Sequence, residues 1–96
     1  MRVYVTLNCQ VKQGQFENML PFLQANLPNV RGFKGNLRVS VRYDESNSEL
    51  LLDEEWLSKA DHQDYLAFIE RNGVLGQLAA FLTAPPKIKY FHNIDI

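Results

Sequence analysis

Hydrophobic and polar residues alternate over four stretches of the chain, at residues 2–11, 36–43, 49–56 and 88–96. The first of them has its apolar residues at every second position: Val3, Val5, Leu7, Cys9 and Val11. A period of two is typical of a strand that buries one face. Residues 44–48 form a short polar connection, which favours an antiparallel hairpin between the second and third strands. The pattern therefore predicts four strands.

Two stretches between these strands have helical spacing instead. The first carries Phe16, Met19, Leu20, Leu23 and Leu27, and Pro28 is expected to close it. The second begins with a capping signal at Ser58 and Asp61, and is expected to bury Tyr65, Leu66, Phe68 and Ile69. Gly73 is expected to interrupt this helix before a second segment over residues 74–82. The sequence thus predicts a helix after the first strand and a broken helix after the third.

The resulting order, β-α-β-β-α-β, predicts a ferredoxin-like α+β fold. In that fold a four-stranded antiparallel sheet carries both helices on one face. With 96 residues, the chain is long enough for one domain, spanning residues 1–96. The opposite, outer face is expected to carry mostly polar side chains: Tyr4, Thr6, Asn8, Gln10, Arg38, Arg42, Glu49, Asp53 and Glu55.

Composition and charge limit the possible binding partners of the protein and the cellular compartment in which it is expected. The net charge is −1 and the ten Lys and Arg residues are scattered, which argues against a nucleic-acid partner. No apolar run is long enough to span a bilayer. The single cysteine, Cys9, cannot form an internal disulfide, so a reducing cytoplasm is expected. Phosphate-binding and zinc motifs are missing, so neither a cofactor nor a metal is expected.

Four stretches resemble one known family in their order and spacing. They are residues 11–16 at the first strand-to-helix junction, 35–38 at the start of the second strand, 54–58 with Trp56 and Ser58, and 82–86 before the last strand. Together they resemble the antibiotic biosynthesis monooxygenase domain over nearly the whole chain. The resemblance implies a dimeric α+β barrel, in which two sheets pack back to back. It also implies a small-molecule pocket between sheet and helices near Trp56.

The chain also departs from this family. Many relatives have histidines nine and fourteen residues after the junction aromatic, where this chain has Tyr65 and Glu70. Histidine chemistry at those two positions is therefore not expected. Heme-degrading relatives use a helix histidine to bind iron, whereas His62 is the only histidine of the second helical region. Heme degradation is accordingly not expected either.

The candidate catalytic residues are polar groups on otherwise apolar strand or helix faces. Glu54 shares the inward side with Leu52, and burial there would raise its pKa and make it a possible base. Tyr65 and His92 are possible hydrogen-bond donors to a bound anion. A structural interpretation stays open for each: Glu54 as a carboxylate at the sheet margin paired with Lys or Arg, and His92 as a hydrogen-bonded histidine of the sheet.

The candidate substrate-binding residues surround the same expected pocket. Trp56 would form a flat wall for an aromatic substrate, although it could equally be a large core aromatic. The others are Tyr43, Leu52, Phe68 and His62, with His62 expected in the exposed first turn of its helix.

Three functions remain open from the sequence. The first is a cofactor-independent monooxygenase of a phenol or quinol, whose substrate itself supplies the electrons for dioxygen. The second is a different enzyme on the same scaffold, such as an isomerase or a small-molecule degrading enzyme, since a fold does not determine its chemistry. The third is a ligand-binding dimer without catalysis. In each case a homodimer is expected to form through the outer sheet face, where Leu51 and Phe91 add apolar surface.

Overall fold

Seven elements make up the chain in a computed structural model that describes residues 2–96. They are β1 (Val3–Gln10), α1 (Phe16–Arg31), β2 (Asn36–Asp44), β3 (Glu49–Trp56), α2 (Lys59–Arg71), α3 (Val74–Ala80) and β4 (Lys87–Phe91). The strands form one antiparallel sheet in the order β2-β3-β1-β4. This arrangement confirms the predicted ferredoxin-like α+β fold, with the central strands β1 and β3 bordered by β2 and β4.

Alternation along the central strands separates a buried sheet face from an outer one. On β1 the inward residues are buried, and on β3 so are Leu50, Leu52, Glu54 and Trp56. The register places Val39, Glu54, Val5 and Tyr90 in one row across the four strands. Paired residues of neighbouring strands point to the same face. Glu54 and Tyr90 therefore face the helices on either side of β1.

The beginning and the break of the second helical region lie where the sequence predicts them. The Ser58 hydroxyl accepts a hydrogen bond of 3.1 Å from the backbone N–H of Asp61 and so caps α2. Gly73 has a φ of +85°, a left-handed conformation that favours glycine, and separates α2 from α3. Both signals predicted from the sequence are therefore confirmed.

Three boundaries or placements predicted from the sequence are wrong. The first helix does not close at Pro28 but continues to Arg31, because Val30 packs into the core and the Gly32 N–H bonds to the Pro28 carbonyl. The last strand ends at Phe91, since its partner β1 provides no paired residue beyond Tyr4. Leu37 is exposed rather than inward, because a bulge near the start of β2 shifts the register there.

The outer face carries its charges as ion pairs within the sheet. Arg38 and Arg42 both contact Asp53, at 3.3 and 3.0 Å, and Arg2 contacts Glu55 at 3.0 Å. Tyr4 and Leu51 lie half-buried among these groups, and Phe91 is half exposed. None of the helices formed by residues 2–96 is long and apolar enough to cross a membrane.

Candidate active site

A cavity of about 50 Å³ lies between the inner face of the sheet and the helices. Leu7 and Leu52 of the sheet form part of its floor. Helix α1 forms one wall, and α2 together with α3 forms the opposite wall. The remaining lining residues are Phe22, Leu23, Asn26, Leu27, Val30, Glu54, His62, Tyr65, Leu66, Ile69, Val74, Leu75 and Leu78. Four polar side chains, those of Asn26, Glu54, His62 and Tyr65, reach an otherwise apolar chamber, which is the usual composition of a small-molecule site.

The Glu54 carboxyl group is the acid of this cavity. Only 3% of the residue is exposed, and its Oε1 accepts a hydrogen bond of 2.8 Å from the Trp56 indole N–H. Among the described residues no Lys or Arg forms an ion pair with it, so it is not a sheet-margin carboxylate neutralised by a cation. Burial raises the pKa of Glu54 to about 7, partly opposed by the bond from Trp56. A carboxyl with that pKa can take up and release a proton near neutral pH.

His62 lies beside Glu54, and the expectation that it is exposed is wrong. Only 1% of the residue is exposed, because the first turn of α2 directs it against the sheet. Its Nε2 lies 3.7 Å from Glu54 Oε1, and its Nδ1 lies 2.8 Å from the Tyr90 hydroxyl oxygen. Burial lowers the pKa of His62 to about 4. Because burial favours the neutral form of both groups, we describe the pair as an acid beside a neutral imidazole.

Trp56 supports the site from behind and does not line the cavity. The residue is fully enclosed, with its ring 5.3 Å from the His62 ring and 5.5 Å from the Tyr65 ring between centroids. Phe33 closes the other side at 6.3 Å. The expectation that Trp56 forms a flat wall of the pocket is therefore wrong. Its contribution is the indole N–H that holds the Glu54 carboxyl group.

Tyr65 lies on the cavity wall, on the same side of α2 as His62. It is buried, and burial with the nearby Glu54 raises the pKa of Tyr65 to about 12. A phenol with so high a pKa keeps its proton at neutral pH, so Tyr65 can donate a hydrogen bond to a bound oxygen atom but not act as a base. Leu52, also expected at the site, contributes apolar floor.

Three residues expected at the site lie elsewhere. His92 follows the end of β4 and is exposed, on a surface shared with Arg2, Tyr4 and Asn93. Tyr43 stacks on Phe16 with ring centroids 3.8 Å apart, at the other end of the sheet. Phe68 is 41% exposed, because it points away from the sheet on α2 and reaches only the rim of the aromatic cluster at Phe33. The structure thus brings together Glu54, Trp56, His62, Tyr65 and Leu52.

Tyr90 is a neighbour of this site that sequence reasoning missed. Its position on the inward side of the last strand was evident, but nothing in the sequence placed it beside His62, 28 residues earlier. It is half-buried, and the Lys59 ammonium lies 4.8 Å from the centre of its ring. The signal that could have identified it is the sheet register, which puts Tyr90 in the row of Glu54.

No cluster suited to a metal ion occurs within residues 2–96, where no three His, Cys, Asp or Glu side chains converge. Cys9 is fully buried, and burial raises the pKa of its thiol to about 11, so it stays protonated.

The fold defines a class of protein before any relative is considered: a ferredoxin-like α+β domain with a pocket under its helices. Solved structures share this fold over nearly the whole chain. Rv0793 from Mycobacterium tuberculosis is 17% identical with a TM-score of 0.84, covering all of this chain and 98% of its own. An antibiotic biosynthesis monooxygenase is 14% identical with a TM-score of 0.85, covering 97% and 99%.

A third structure is that of a Streptomyces coelicolor monooxygenase, from the gene ActVA-Orf6, in complex with nanaomycin D. It is 12% identical with a TM-score of 0.79, and the match covers 98% of this chain and 88% of that one. These likenesses confirm the resemblance to the antibiotic biosynthesis monooxygenases at the level of the fold. No protein-family model matches the sequence, and no curated protein matches it.

Proposed function

We propose that the protein is a cytoplasmic, cofactor-independent monooxygenase that acts on a small phenol or quinol in the cavity between sheet and helices. The observation that carries this proposal is the Glu54 carboxyl group. It is buried at an apolar cavity, has a pKa of about 7, and is held by a neutral donor instead of a cation. A second support is that a monooxygenase with this fold binds a small-molecule ligand, nanaomycin D.

The chemistry requires only a base and a dry pocket. Glu54 takes the proton from the substrate hydroxyl, and the resulting phenolate is electron-rich enough to reduce dioxygen. One oxygen atom of O₂ enters the ring and the other leaves as water, and the ring is oxidised to a quinone. All four electrons come from the substrate, and the two hydrogens that the substrate loses, the hydroxyl proton taken by Glu54 among them, end in the water. Tyr65 donates a hydrogen bond to the developing anion, where exclusion of water strengthens it.

The size of the cavity limits the substrate. An apolar cavity of about 150 Å³ binds benzene, so a cavity of about 50 Å³ is roughly one third of what a single ring needs. The lining side chains between α1 and α2, among them Phe22, Leu27 and Leu66, are only half-buried. A substrate therefore enters by separating α1 from α2, and substrates with one ring are favoured over larger ones.

Oxygen uptake tests this proposal directly. The purified protein is incubated with a panel of one-ring and two-ring phenols and quinols, with and without a metal chelator. We expect consumption of one O₂ per substrate, unaffected by the chelator, and incorporation of one atom from isotopically labelled dioxygen. Failure of every member of the panel to consume oxygen, while one of them still binds, would contradict an oxygenase.

The same carboxyl group supports a second candidate, a proton-transferring isomerase. A buried acid with a pKa near 7 can remove a proton next to a carbonyl and return it to another carbon. The two functions differ in their need for dioxygen. The isomerase would be favoured if a substrate is converted under strictly anaerobic conditions and one of its hydrogens is replaced by deuterium from the solvent.

We further propose that the chain forms a homodimer through the outer face of its sheet. Tyr4, Leu51 and Phe91 provide apolar surface there, and a two-fold axis would make this patch its own partner. The charged residues pair within the sheet, so the apolar residues are the ones expected to hold two copies together. Light scattering at micromolar concentration tests the dimer.

For the dimer, the informative variant is Leu51→Glu, which places a charge on the outer face opposite Asn8 of β1 and should shift the mass toward the monomer. Leu57→Glu is the matched control, because Leu57 is exposed but lies beyond the end of β3, outside the sheet. A parent protein that scatters as a monomer of 11.1 kDa would contradict the proposal.

A further inference from the structure

Three polar side chains in a row lead from the cavity toward the protein surface. The series begins at Glu54 Oε1, passes the imidazole of His62 at 3.7 Å, and reaches the Tyr90 hydroxyl at 2.8 Å from His62 Nδ1. Glu54 and Tyr90 stand in the same row of the sheet with β1 between them, which separates their backbones by roughly 10 Å. His62 reaches down from α2 and bridges that gap. Glu54 and His62 are both almost fully buried, whereas Tyr90 is only half-buried.

We propose that His62 and Tyr90 form a proton relay between Glu54 and solvent, so that the buried acid exchanges its proton through these two side chains. The inference rests on the proposed role of Glu54 as the base, and it adds the path that such a base needs. Only 3% of Glu54 is exposed, so its carboxyl group needs other polar groups to pass its proton to solvent. Among the described residues, the two imidazole nitrogens and the tyrosine hydroxyl are the groups aligned with its oxygen.

Neutral histidine exists in two tautomers, and each supports one direction of transfer. With the proton on Nδ1, Glu54 passes its proton to Nε2 while Nδ1 gives its own to the Tyr90 oxygen, whose former proton goes to water. This leaves the tautomer with the proton on Nε2. That tautomer runs the reverse step, in which water protonates the Tyr90 oxygen, Tyr90 protonates Nδ1, and Nε2 protonates Glu54. One outward and one inward transfer therefore restore the starting state.

Three features of the geometry determine what this relay requires. The 3.7 Å between Nε2 and Oε1 lies beyond hydrogen-bond length, so the two side chains must approach by roughly 0.8 Å at the moment of transfer. The contact at Tyr90 is already a full hydrogen bond. The Lys59 ammonium above the Tyr90 ring keeps a positive charge near the outer end, which favours the transient build-up of negative charge on the oxygen.

Trp56 provides a reporter for the proton on Glu54. It is the single tryptophan of the chain, and its indole N–H donates to the Glu54 oxygen that exchanges the proton. Ionisation of this carboxyl changes the charge beside the ring and therefore its fluorescence. We expect the emission of the parent protein to titrate with a midpoint near pH 7. Glu54→Gln should abolish this titration, and its persistence in that variant would contradict the assignment of Glu54 itself.

The relay is tested by how fast this fluorescence responds to a rapid change of pH. Tyr90→Phe removes the hydroxyl but keeps the ring, so the midpoint should stay near that of the parent while the response slows by roughly 10²-fold. Tyr43→Phe is the matched control, because Tyr43 is also half-buried but stacks on Phe16 at the other end of the sheet. It should respond at the parent rate.

A measurement on the parent protein covers the case in which Tyr90→Phe does not fold. The response should be slower in deuterium oxide than in water, because transfer along the relay moves several protons. A parent response that is equally fast in both solvents overturns the relay. So does a folded Tyr90→Phe protein that responds at the parent rate. In either case, loss of the titration in Glu54→Gln would still support Glu54 as the base, so the two proposals fail separately.

Discussion

Three consecutive acids on β3, Asp53, Glu54 and Glu55, meet opposite environments although they are neighbours in the chain. Asp53 and Glu55 point to the outer face, where Arg38, Arg42 and Arg2 neutralise them. Glu54 points to the inner face, where an indole N–H and a neutral imidazole are its polar neighbours.

The difference shows that the partner, more than the residue type, determines what a carboxyl group can do. An ion pair holds a carboxylate in its charged form and leaves it chemically idle. Burial without a cationic partner raises the pKa of Glu54 to about 7, so the group can exchange its proton near neutral pH. The strand thus presents two ion-paired carboxylates to one side and one buried carboxyl group with a raised pKa to the other.

The largest effect is expected on turnover, which should depend on the carboxyl group of the inner sheet face and not on those of the outer face. Glu54→Gln keeps the shape of the side chain and its bond from Trp56 but cannot take a proton, so turnover of a substrate should fall by about 10²- to 10⁴-fold. Asp53→Asn makes the same chemical change one residue away on the outer face and should leave turnover unchanged. Steady-state oxygen uptake measures both. Equal rates for the parent and Glu54→Gln would remove Glu54 from the mechanism.

Removing the donor behind Glu54 should mainly affect stability. Trp56 is fully enclosed, so Trp56→Ala leaves a large void and an acid without its partner, at a cost of about 3–5 kcal/mol in the free energy of unfolding. Leu57→Ala truncates a half-exposed side chain beyond the end of β3 and should cost less than about 1 kcal/mol. Urea denaturation compares the two variants. A Trp56→Ala protein as stable as Leu57→Ala would show that the indole is not part of the core.

The pH dependence of stability should reveal that Glu54 and His62 oppose each other. The pKa of Glu54 rises from 4.5 to about 7 on folding. Its contribution to the free energy of unfolding is therefore fully present below pH 4.5 and is lost as the pH rises to 7. The pKa of His62 falls from 6.5 to about 4, so its contribution is present above pH 6.5 and is lost as the pH falls to 4. In the parent protein the two dependences largely cancel between pH 4.5 and 6.5.

Single substitutions should expose each dependence separately. In Glu54→Gln only His62 still titrates, so the free energy of unfolding should rise by roughly 2–3 kcal/mol as the pH increases from 4.5 to 6.5. In His62→Gln only Glu54 still titrates, so the free energy of unfolding should fall by a similar amount over the same increase in pH. Urea denaturation at several pH values measures both slopes. Variants with the same slope as the parent would mean that the two groups are not buried as neutral partners.

The smallest effect is expected on the outer face. Arg42→Gln breaks the 3.0 Å pair with Asp53, which is partly exposed and also contacts Arg38. The loss should be below about 1 kcal/mol and should shrink further in high salt. Denaturation at low and high salt tests this. A loss as large as that of Trp56→Ala would contradict the view that these carboxylates need only a solvated pair.

The sequence by itself determined the parts of this protein that depend on local periodicity. Alternation along residues 49–56 placed Glu54 on the inner face and Asp53 with Glu55 on the outer face, because successive side chains of a strand point to opposite sides. The cap at Ser58 and the break at Gly73 were predictable because each depends on a few neighbouring residues. These signals sufficed for the order of elements and hence for the fold.

Only the tertiary structure decided where residues from distant segments meet. His62 shares a face of α2 with Tyr65 and Ile69, three and seven residues later, so helical periodicity could have predicted its burial. Only its contacts with Glu54 and Tyr90 needed the tertiary structure. Its contact with Tyr90 joins residues 28 positions apart, through a register that the chain settles only by pairing β4 with β1. His92 was lost from the site for the same reason, since the strand ends where its partner ends. Local patterns place a side chain on a face, whereas packing determines which side chains touch.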